Sequence, residues 1–250
     1  MSRSRVLATS AFVLATLSFV CAPAQAQAPA QGARAEGARG QGAGREGGPA
    51  RRPGLILKEE WAQNAKGDEH PISQESVGNP NLELKLYGST SKEVAVTGKA
   101  GDENNPIHVW TGLTTSPTAV ALRDKANMAD LTGLARMRVN TKVSGFHEIR
   151  PMVKLADGNY YVADKAVVGS TRDWLVSDIS FGDLHWLKLD PTNVVTKGNV
   201  VDKIDLSKVD EVGFVDLMPG SGHGPGGWVD VAQLEVYGKA VPRGGTNRVR

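Results

Sequence analysis

The sequence contains one cysteine in 250 residues, Cys21, which falls in an apolar N-terminal stretch. Arg3 and Arg5 precede an apolar run over residues 6–20, and Ala24-Gln25-Ala26 offers the small residues that signal peptidase requires. This pattern predicts a secretory signal peptide over residues 1–26. Its removal leaves no cysteine, which excludes disulfides, thiolate metal sites, iron–sulfur clusters and cysteine nucleophiles.

Long apolar runs are equally scarce. The run over residues 6–20 is shorter than the roughly 20 apolar residues that a membrane-spanning helix needs, and Pro23 follows it closely. We therefore expect an exported protein, periplasmic or extracellular, with no transmembrane span in its mature form.

A net positive charge is missing from the central part of the chain. The formal net charge of the whole sequence is +2, although residues 1–26 carry +2, residues 27–53 carry +3 and residues 241–250 carry +3. Residues 54–240 therefore carry −6. Nucleic-acid binding needs a basic face for the phosphates, so nucleic acid is excluded as a partner of this central part.

Residues 27–53 lack aromatic residues and any aliphatic residue larger than alanine. Such a segment cannot bury enough apolar surface to offset the entropy of ordering it, and we predict a disordered linker. Residues 241–250 are predicted to be a basic disordered tail. The folded domain is placed at 54–240, with order ending near Gly238, and it is long enough to form a packed core.

A sustained helical stripe is absent as well. The best helix candidate, 57–66, is short, and 124–131 is expected to form a single turn. Elsewhere apolar residues alternate with polar ones, as in 81–87, where Leu82, Leu84 and Leu86 share one face. Many short strands separated by turn residues predict an all-β sandwich or barrel.

The strand candidates follow from this alternation and from the turn residues between them. They are 54–58, 81–87, 94–96, 106–111, 120–122, 135–139, 147–155, 159–164, 172–180, 185–189, 211–218 and 228–237. Asp157-Gly158-Asn159 between two apolar segments predicts a tight hairpin.

Five segments, taken in order, resemble the jelly-roll carbohydrate-binding modules of the galactose-binding-domain-like superfamily and the sandwich domain of the complex I intermediate-associated family. They are a polar turn entering a strand at 130–139, a strand–Asp-Gly–strand unit at 149–161, a tryptophan opening a strand at 171–181, residues 204–214, and a Gly-Trp-Val-Asp strand start at 227–238. The resemblance implies a jelly-roll β-sandwich with a concave face that is often a sugar platform. It also implies an edge site that often holds a structural calcium.

The acidic residues that would serve such a calcium site are Glu59, Glu60 and Asp230. The resemblance places one acid near the start of the domain and Asp230 at the entry to the last strand. Asp230 is expected to share an inward row with Ala232, Leu234 and Val236, where a buried carboxylate needs a partner. Calcium and backbone amides are both open as that partner.

A sugar platform requires aromatic faces for the C–H groups and polar side chains for the hydroxyls. We expect its residues to be Trp110, His108, Arg150, Tyr160 and Tyr161, because Arg150 lies on the polar row of its strand and the tyrosines lie across the hairpin. Trp174 and Trp228 open strands with a core pattern and are assigned mainly to packing.

No catalytic or histidine metal site can be assembled from the sequence. His70, His108, His147, His185 and His223 are far apart, and most acids fall in turns. The glycine-rich stretch 222–227 matches a dinucleotide-binding spacing, but it lies between two strand-like segments and is interpreted as a hairpin loop.

Three hypotheses follow. The first is a non-catalytic carbohydrate-binding module, accessory to polysaccharide handling, with a carbohydrate or polysaccharide as partner. The second is a glycan hydrolase or lyase on the same sandwich. The third is an envelope protein-interaction domain without a sugar site and without clustered exposed aromatic residues. The oligomeric state is not indicated by the sequence.

Overall fold

The computed structural model describes residues 52–166, 168–222 and 226–244. The predicted signal peptide, nearly all of the linker, His223 and residues 245–250 lie outside the described residues. Within the described ranges the only helical segments are three-residue 3-10 turns, at Gln74–Ser76, Ser91–Glu93 and Phe181–Asp183. None of the helices there has the length and apolarity to cross a membrane.

Strands make up the rest of the regular structure. They are β1 (Gly54–Glu60), β2 (His70–Pro71), β3 (Leu82–Tyr87), β4 (Ala95–Thr97), β5 (His108–Trp110), β6 (Thr118–Asp124), β7 (Asn127–Asp130), β8 (Arg136–Gly145), β9 (Arg150–Leu155), β10 (Tyr160–Ala163), β11 (Leu175–Ser180), β12 (Trp186–Asp190), β13 (Val195–Val201), β14 (Val209–Asp216) and β15 (Gly227–Pro242).

Two antiparallel layers are formed by these strands. The first sheet has the order β11-β8-β15-β5-β4-β2, and β1 lies beside β15 on the same side as β5. The second sheet has the order β3-β6-β14-β9-β10-β12-β13. The short strand β7 joins β14 to the C-terminal end of β15.

One apolar core fills the space between the layers. Met137, Val139 and Val143 from β8 belong to the same buried cluster as Val212 and Phe214 from β14. Because both sheets bury one face in a common cluster, they pack face to face. The prediction of an all-β sandwich is confirmed.

The last strand, β15, belongs to both layers. Its first part pairs with β8 in the first sheet, and residues 239–242 pair with β7. Order therefore continues past Gly238, where we expected it to end. Beyond the strand, the guanidinium of Arg243 donates hydrogen bonds to the carboxylate and the carbonyl oxygen of Asp210.

Several local predictions are wrong. The helix expected at 57–66 is replaced by β1, which runs to Glu60, because the buried Leu57 and Glu59 alternate with less buried neighbours and the strand pairs with β15. The turn expected at 124–131 contains strand β7. The strands that flank the glycine-rich stretch at 222–227, β14 and β15, lie in different sheets and do not pair as a hairpin, and residues 223–225 of the stretch lie outside the described residues.

Candidate binding site on the outer face of the first sheet

The site begins with a row of residues that pairing places side by side across the first sheet. Asp230 of β15 lies opposite Lys142 of β8 on one side and opposite Trp110 of β5 on the other. The neighbours of Asp230 in sequence, Val229 and Val231, enter the core. Since side chains alternate along a strand, this row projects from the outer face of the sheet.

A β-bulge determines this orientation. The pairing of β15 with β8 shifts between Val231 and Gln233, so one extra residue is inserted. Val229 and Val231 point inward before the bulge, and Leu234 and Val236 point inward after it. The expectation that Asp230 shares an inward row with Leu234 and Val236 is therefore wrong, because the bulge reverses the alternation between them.

Three indole rings surround a cavity of about 200 Å³ on this face, namely Trp110, Trp174 and Trp228. Trp110 and Trp228 meet edge to face, with ring centroids 6.3 Å apart. Trp174 meets the ring of His108 in the same manner at 5.1 Å, and its Nε1–H donates to the carbonyl oxygen of Asn104 at 3.1 Å. These contacts fix the rings without placing them in the core between the sheets.

The remaining lining of this tryptophan cavity is polar. Its residues are Glu69, Thr97, Asn104, Asn105, His108, Lys142 and Asp230. Amide, hydroxyl, carboxylate and ammonium groups therefore converge on a surface with aromatic walls. That combination is typical of sites for small polar ligands with apolar faces.

Asp230 is the most unusual of the polar residues. Its Oδ2 accepts a hydrogen bond from Nε1–H of Trp228 at 3.1 Å. Its Oδ1 is buried and has no hydrogen-bond partner among the described residues. Nε2 of His108 lies 3.6 Å from this oxygen, which is too long for a hydrogen bond.

Burial changes the pKa of both groups. It raises the pKa of Asp230 to about 7, although the hydrogen bond from Trp228 and the charge of Lys142 act in the opposite direction. The pKa of His108 is lowered by burial and by Lys142, against the effect of its hydrogen bond to Pro106. Burial therefore favours the neutral form of His108 and makes the ionised form of Asp230 costly, and a ligand that compensates the buried carboxylate would offset that cost.

The structure brings together only part of the predicted platform. Trp110 and His108 line the tryptophan cavity, whereas Arg150 and Tyr160 belong to β9 and β10 of the second sheet. Arg150 donates to the carbonyl oxygen of Asp164 at 2.8 Å and pairs with Glu148. Tyr161 packs against the core cluster. A single platform containing all five residues is therefore not formed.

Tyr160 takes part in a different polar cluster, on the outer face of the second sheet. Its hydroxyl lies 3.3 Å from that of Tyr87, which donates to Glu211 at 2.6 Å. Lys154 completes the cluster with a 2.8 Å ion pair to Glu211. The groups satisfy one another, so this cluster needs no ligand to account for it.

The three acids proposed for calcium do not form one ligand set. Both carboxylate oxygens of Glu59 accept backbone N–H groups, from Gly78 at 2.6 Å and Asn79 at 3.2 Å. Glu60 pairs with Lys58 at 2.8 Å. Strand β1 places the two glutamates opposite Leu234 and Gln233, three or more residues from Asp230. Within the described ranges no group of three or more His, Cys, Asp or Glu side chains is suited to a metal ion.

Trp174 and Trp228 are the residues that sequence reasoning assigned incorrectly. Both are half-buried and line the tryptophan cavity, and neither belongs to the core cluster. The sequence indicates the orientation of Trp228 only through the alternation of Trp228 with Val229 and of Asp230 with Val231. It identifies two faces but does not show which one is inward when a bulge follows.

No protein-family model matches the chain, and no curated protein matches it. The chain is similar to the solved family 11 carbohydrate-binding module of a cellulosomal cellulase of Clostridium thermocellum, at 15% identity and a TM-score of 0.39, over 68% of this chain and 95% of the module.

Two further solved structures give similar values. One is a family 29 carbohydrate-binding module complexed with cellulohexaose, at 11% identity and a TM-score of 0.37, over 68% of this chain and 91% of the module. The other is the Emp47p carbohydrate recognition domain, at 8% identity and a TM-score of 0.36, over 74% of this chain and 97% of that domain.

Proposed function

We propose that this chain is an exported, non-catalytic carbohydrate-binding domain whose ligand site is the tryptophan cavity. One observation carries the proposal. Three indole rings and a buried carboxylate oxygen that has no hydrogen-bond partner among the described residues line the same cavity on the outer face of the first sheet.

The chemistry of a sugar matches this lining. A pyranose ring presents C–H groups on its faces, which stack on indole rings, and hydroxyl groups on its rim. The hydroxyls can donate to Asp230 and bind the side-chain amides of Asn104 and Asn105. Stacking supplies binding energy, and the polar groups fix the orientation of the ring.

The test compares wild type with Trp174→Ala and Trp228→Ala by affinity electrophoresis through gels that contain single soluble polysaccharides. Both side chains are half-buried and lie outside the core cluster, so their removal should leave the fold intact. We expect each substitution to weaken binding roughly 3- to 10-fold, as for the loss of one aromatic contact.

Arg150→Ala and Tyr160→Phe serve as matched controls, because both residues belong to the second sheet. Their binding should equal that of wild type. Loss of binding in these two variants but not in the tryptophan variants would refute the assignment of the site.

An enzyme is the second candidate, because two carboxylates, Asp230 and Glu69, line one cavity and the pKa of Asp230 is raised to about 7. Such a carboxyl group is suited to act as a general acid. Release of new reducing ends or unsaturated products from a bound polysaccharide, abolished in Asp230→Asn, would favour this candidate. Retention without any product favours binding alone.

Export is supported by the leader pattern of residues 1–26. The mass of the mature protein, purified from periplasm and from culture medium, tests it directly. A mature chain that begins at Gln27 agrees with the proposal, and an intact N-terminus in the cytoplasm contradicts it.

A further inference from the structure

We propose that the ligand of the tryptophan cavity presents a protonated amine to Asp230, so that the preferred sugar is an amino sugar with a free amine. This inference rests on the proposed carbohydrate-binding function and names its substrate class.

Two hydrogen-bond acceptors face each other in the cavity. Nδ1 of His108 lies 2.7 Å from the carbonyl oxygen of Pro106, which can only accept, so Nδ1 carries the ring proton. Nε2 therefore keeps its lone pair and points towards Oδ1 of Asp230, 3.6 Å away. When Asp230 is ionised, it cannot bond to the neutral His108, and both atoms then accept a hydrogen bond only from a donor outside the protein.

The charged residues that line the cavity determine whether a neutral or a cationic donor fits best. Among the described lining residues the carboxylates are Glu69 and Asp230, and the only cation is Lys142. Lys142 lies opposite Asp230 across the strands, and its charge lowers the pKa of Asp230 without cancelling the effect of burial. When Asp230 is ionised, the two carboxylates exceed the one ammonium group of the lining by one negative charge, which a neutral hydroxyl leaves in place and a cationic donor neutralises.

The aromatic side chains of the cavity also favour a cationic ligand. Trp110, Trp174 and Trp228 line the same cavity as Asp230. Trp228 presents its Nε1–H edge to Asp230, and an ammonium group held over the face of Trp110 or Trp174 would be attracted to that ring. An ammonium group has three protons, enough for Oδ1 of Asp230 and Nε2 of His108 together. N-acetylation removes the charge and adds bulk at the same position, so the acetylated sugar should lose the advantage.

The test uses three β-1,4-linked hexasaccharides that differ only at C2: cellohexaose, the N-acetylglucosamine hexamer and the glucosamine hexamer. Their binding to the full chain is measured by calorimetry at about pH 7, where a free amine is still largely protonated and about half of Asp230 is ionised. We expect the glucosamine hexamer to bind at least about tenfold more tightly than cellohexaose, and the acetylated hexamer to show no such gain.

Three variants distinguish binding of the amine in the cavity from a general attraction of the cationic ligand to an acidic domain. Asp230→Asn should abolish the preference for the amine while changing cellohexaose binding by less than about threefold. Asp205→Asn, which removes one exposed charge in a turn after the second sheet's β13, should keep the preference. Lys142→Met should increase it, because the competing cation is removed.

The outcomes are distinct. Equal or tighter binding of cellohexaose, or a preference that survives Asp230→Asn, overturns the amine proposal. If a neutral polysaccharide binds in a Trp174-dependent manner and glucosamine polymer does not compete, the amine proposal fails and carbohydrate binding stands. If no neutral, acetylated or amino sugar binds, both proposals fail.

Discussion

At the scale of single residues, Asp216 shows how a buried charge is accommodated beside the tryptophan cavity. Its carboxylate is inaccessible to water and accepts hydrogen bonds from Thr111 and from His147, each at 2.7 Å. The backbone N–H of Met218 donates to its other oxygen at 3.1 Å. Thr111 in turn accepts from the N–H of Val229, so one network ties β14 to the start of β15.

Asp216→Ala should therefore be strongly destabilising. It leaves the buried His147 and Thr111 without their acceptor, and the expected loss is about 3–5 kcal/mol of unfolding free energy, measured by urea denaturation. Asp183→Ala, which changes an exposed acid, should stay within about 0.5 kcal/mol of wild type. A loss below about 1 kcal/mol for Asp216→Ala would contradict the role of the network.

Gly112 supports the ring of Trp110. A Cβ atom at this position would lie 2.2 Å from the ring carbons of Trp110, so the ring occupies the space that the missing side chain leaves. Gly112→Ala must displace the indole or the backbone, and we expect weaker binding of whichever polysaccharide the wild type retains. The overpacking should also cost about 1–3 kcal/mol of stability.

Gly169→Ala is the matched control, because nothing lies within 4 Å of its added Cβ and its backbone is not left-handed. Affinity electrophoresis compares the two variants with wild type. Unchanged binding in Gly112→Ala would show that the position of the Trp110 ring does not matter to the ligand.

At the scale of the elements, Asp210 at the beginning of β14 binds the guanidinium of Arg243, which directly follows the C-terminal end of β15. Burial alone would raise the pKa of Asp210, but hydrogen bonds from Arg243, Arg123 and Lys154 outweigh it and lower the pKa to about 2. The stability that this group supplies is complete above the ordinary aspartate pKa of about 4 and is lost as the pH falls towards 2.

Wild type should therefore lose about 2 kcal/mol more unfolding free energy than Asp210→Asn between pH 5 and pH 2. The measurement is urea denaturation of both proteins at several pH values. Parallel pH profiles for the two proteins would show that Arg243 and its neighbours do not stabilise the ionised carboxylate in the native state.

The elements that could be predicted from the sequence are those with one buried face. In β3, Leu82, Leu84 and Leu86 alternate with charged residues, and the strand lies where the pattern places it. Strand β13 has no buried residue, so Val195–Val201 carried no signal of alternation and was missed. Strand β7 has only four half-buried residues, and its pairing with β15 depends on tertiary structure.

The site was less predictable than the strands, for a reason at the scale of the whole molecule. Alternation shows that Tyr160 and Trp110 each lie on a face, but only the strand order shows that they belong to different sheets. The bulge in β15 decides that Trp228 and Asp230 project outward together. Neither the strand order nor the bulge follows from local sequence, because both are set by pairing between distant segments.

One core and one shared strand hold both sheets together, and this should make unfolding cooperative. β15 pairs within the first sheet and, through β7, with the second, and the two layers bury their inner faces in a single cluster. Neither sheet can keep its buried face after the other has separated from it. We therefore expect one transition in urea, with coincident curves from tryptophan fluorescence and far-ultraviolet circular dichroism.

Two core substitutions in opposite sheets test this expectation. Met137 of β8 and Phe214 of β14 are almost fully buried, and Met137→Ala and Phe214→Ala should cost about 2–5 and 3–5 kcal/mol. In a cooperative sandwich each variant shifts both spectroscopic curves equally to lower urea concentration, whichever sheet carries the change. Separate transitions, with Met137→Ala shifting only one of them, would show that the sheets unfold independently and that β15 does not couple them.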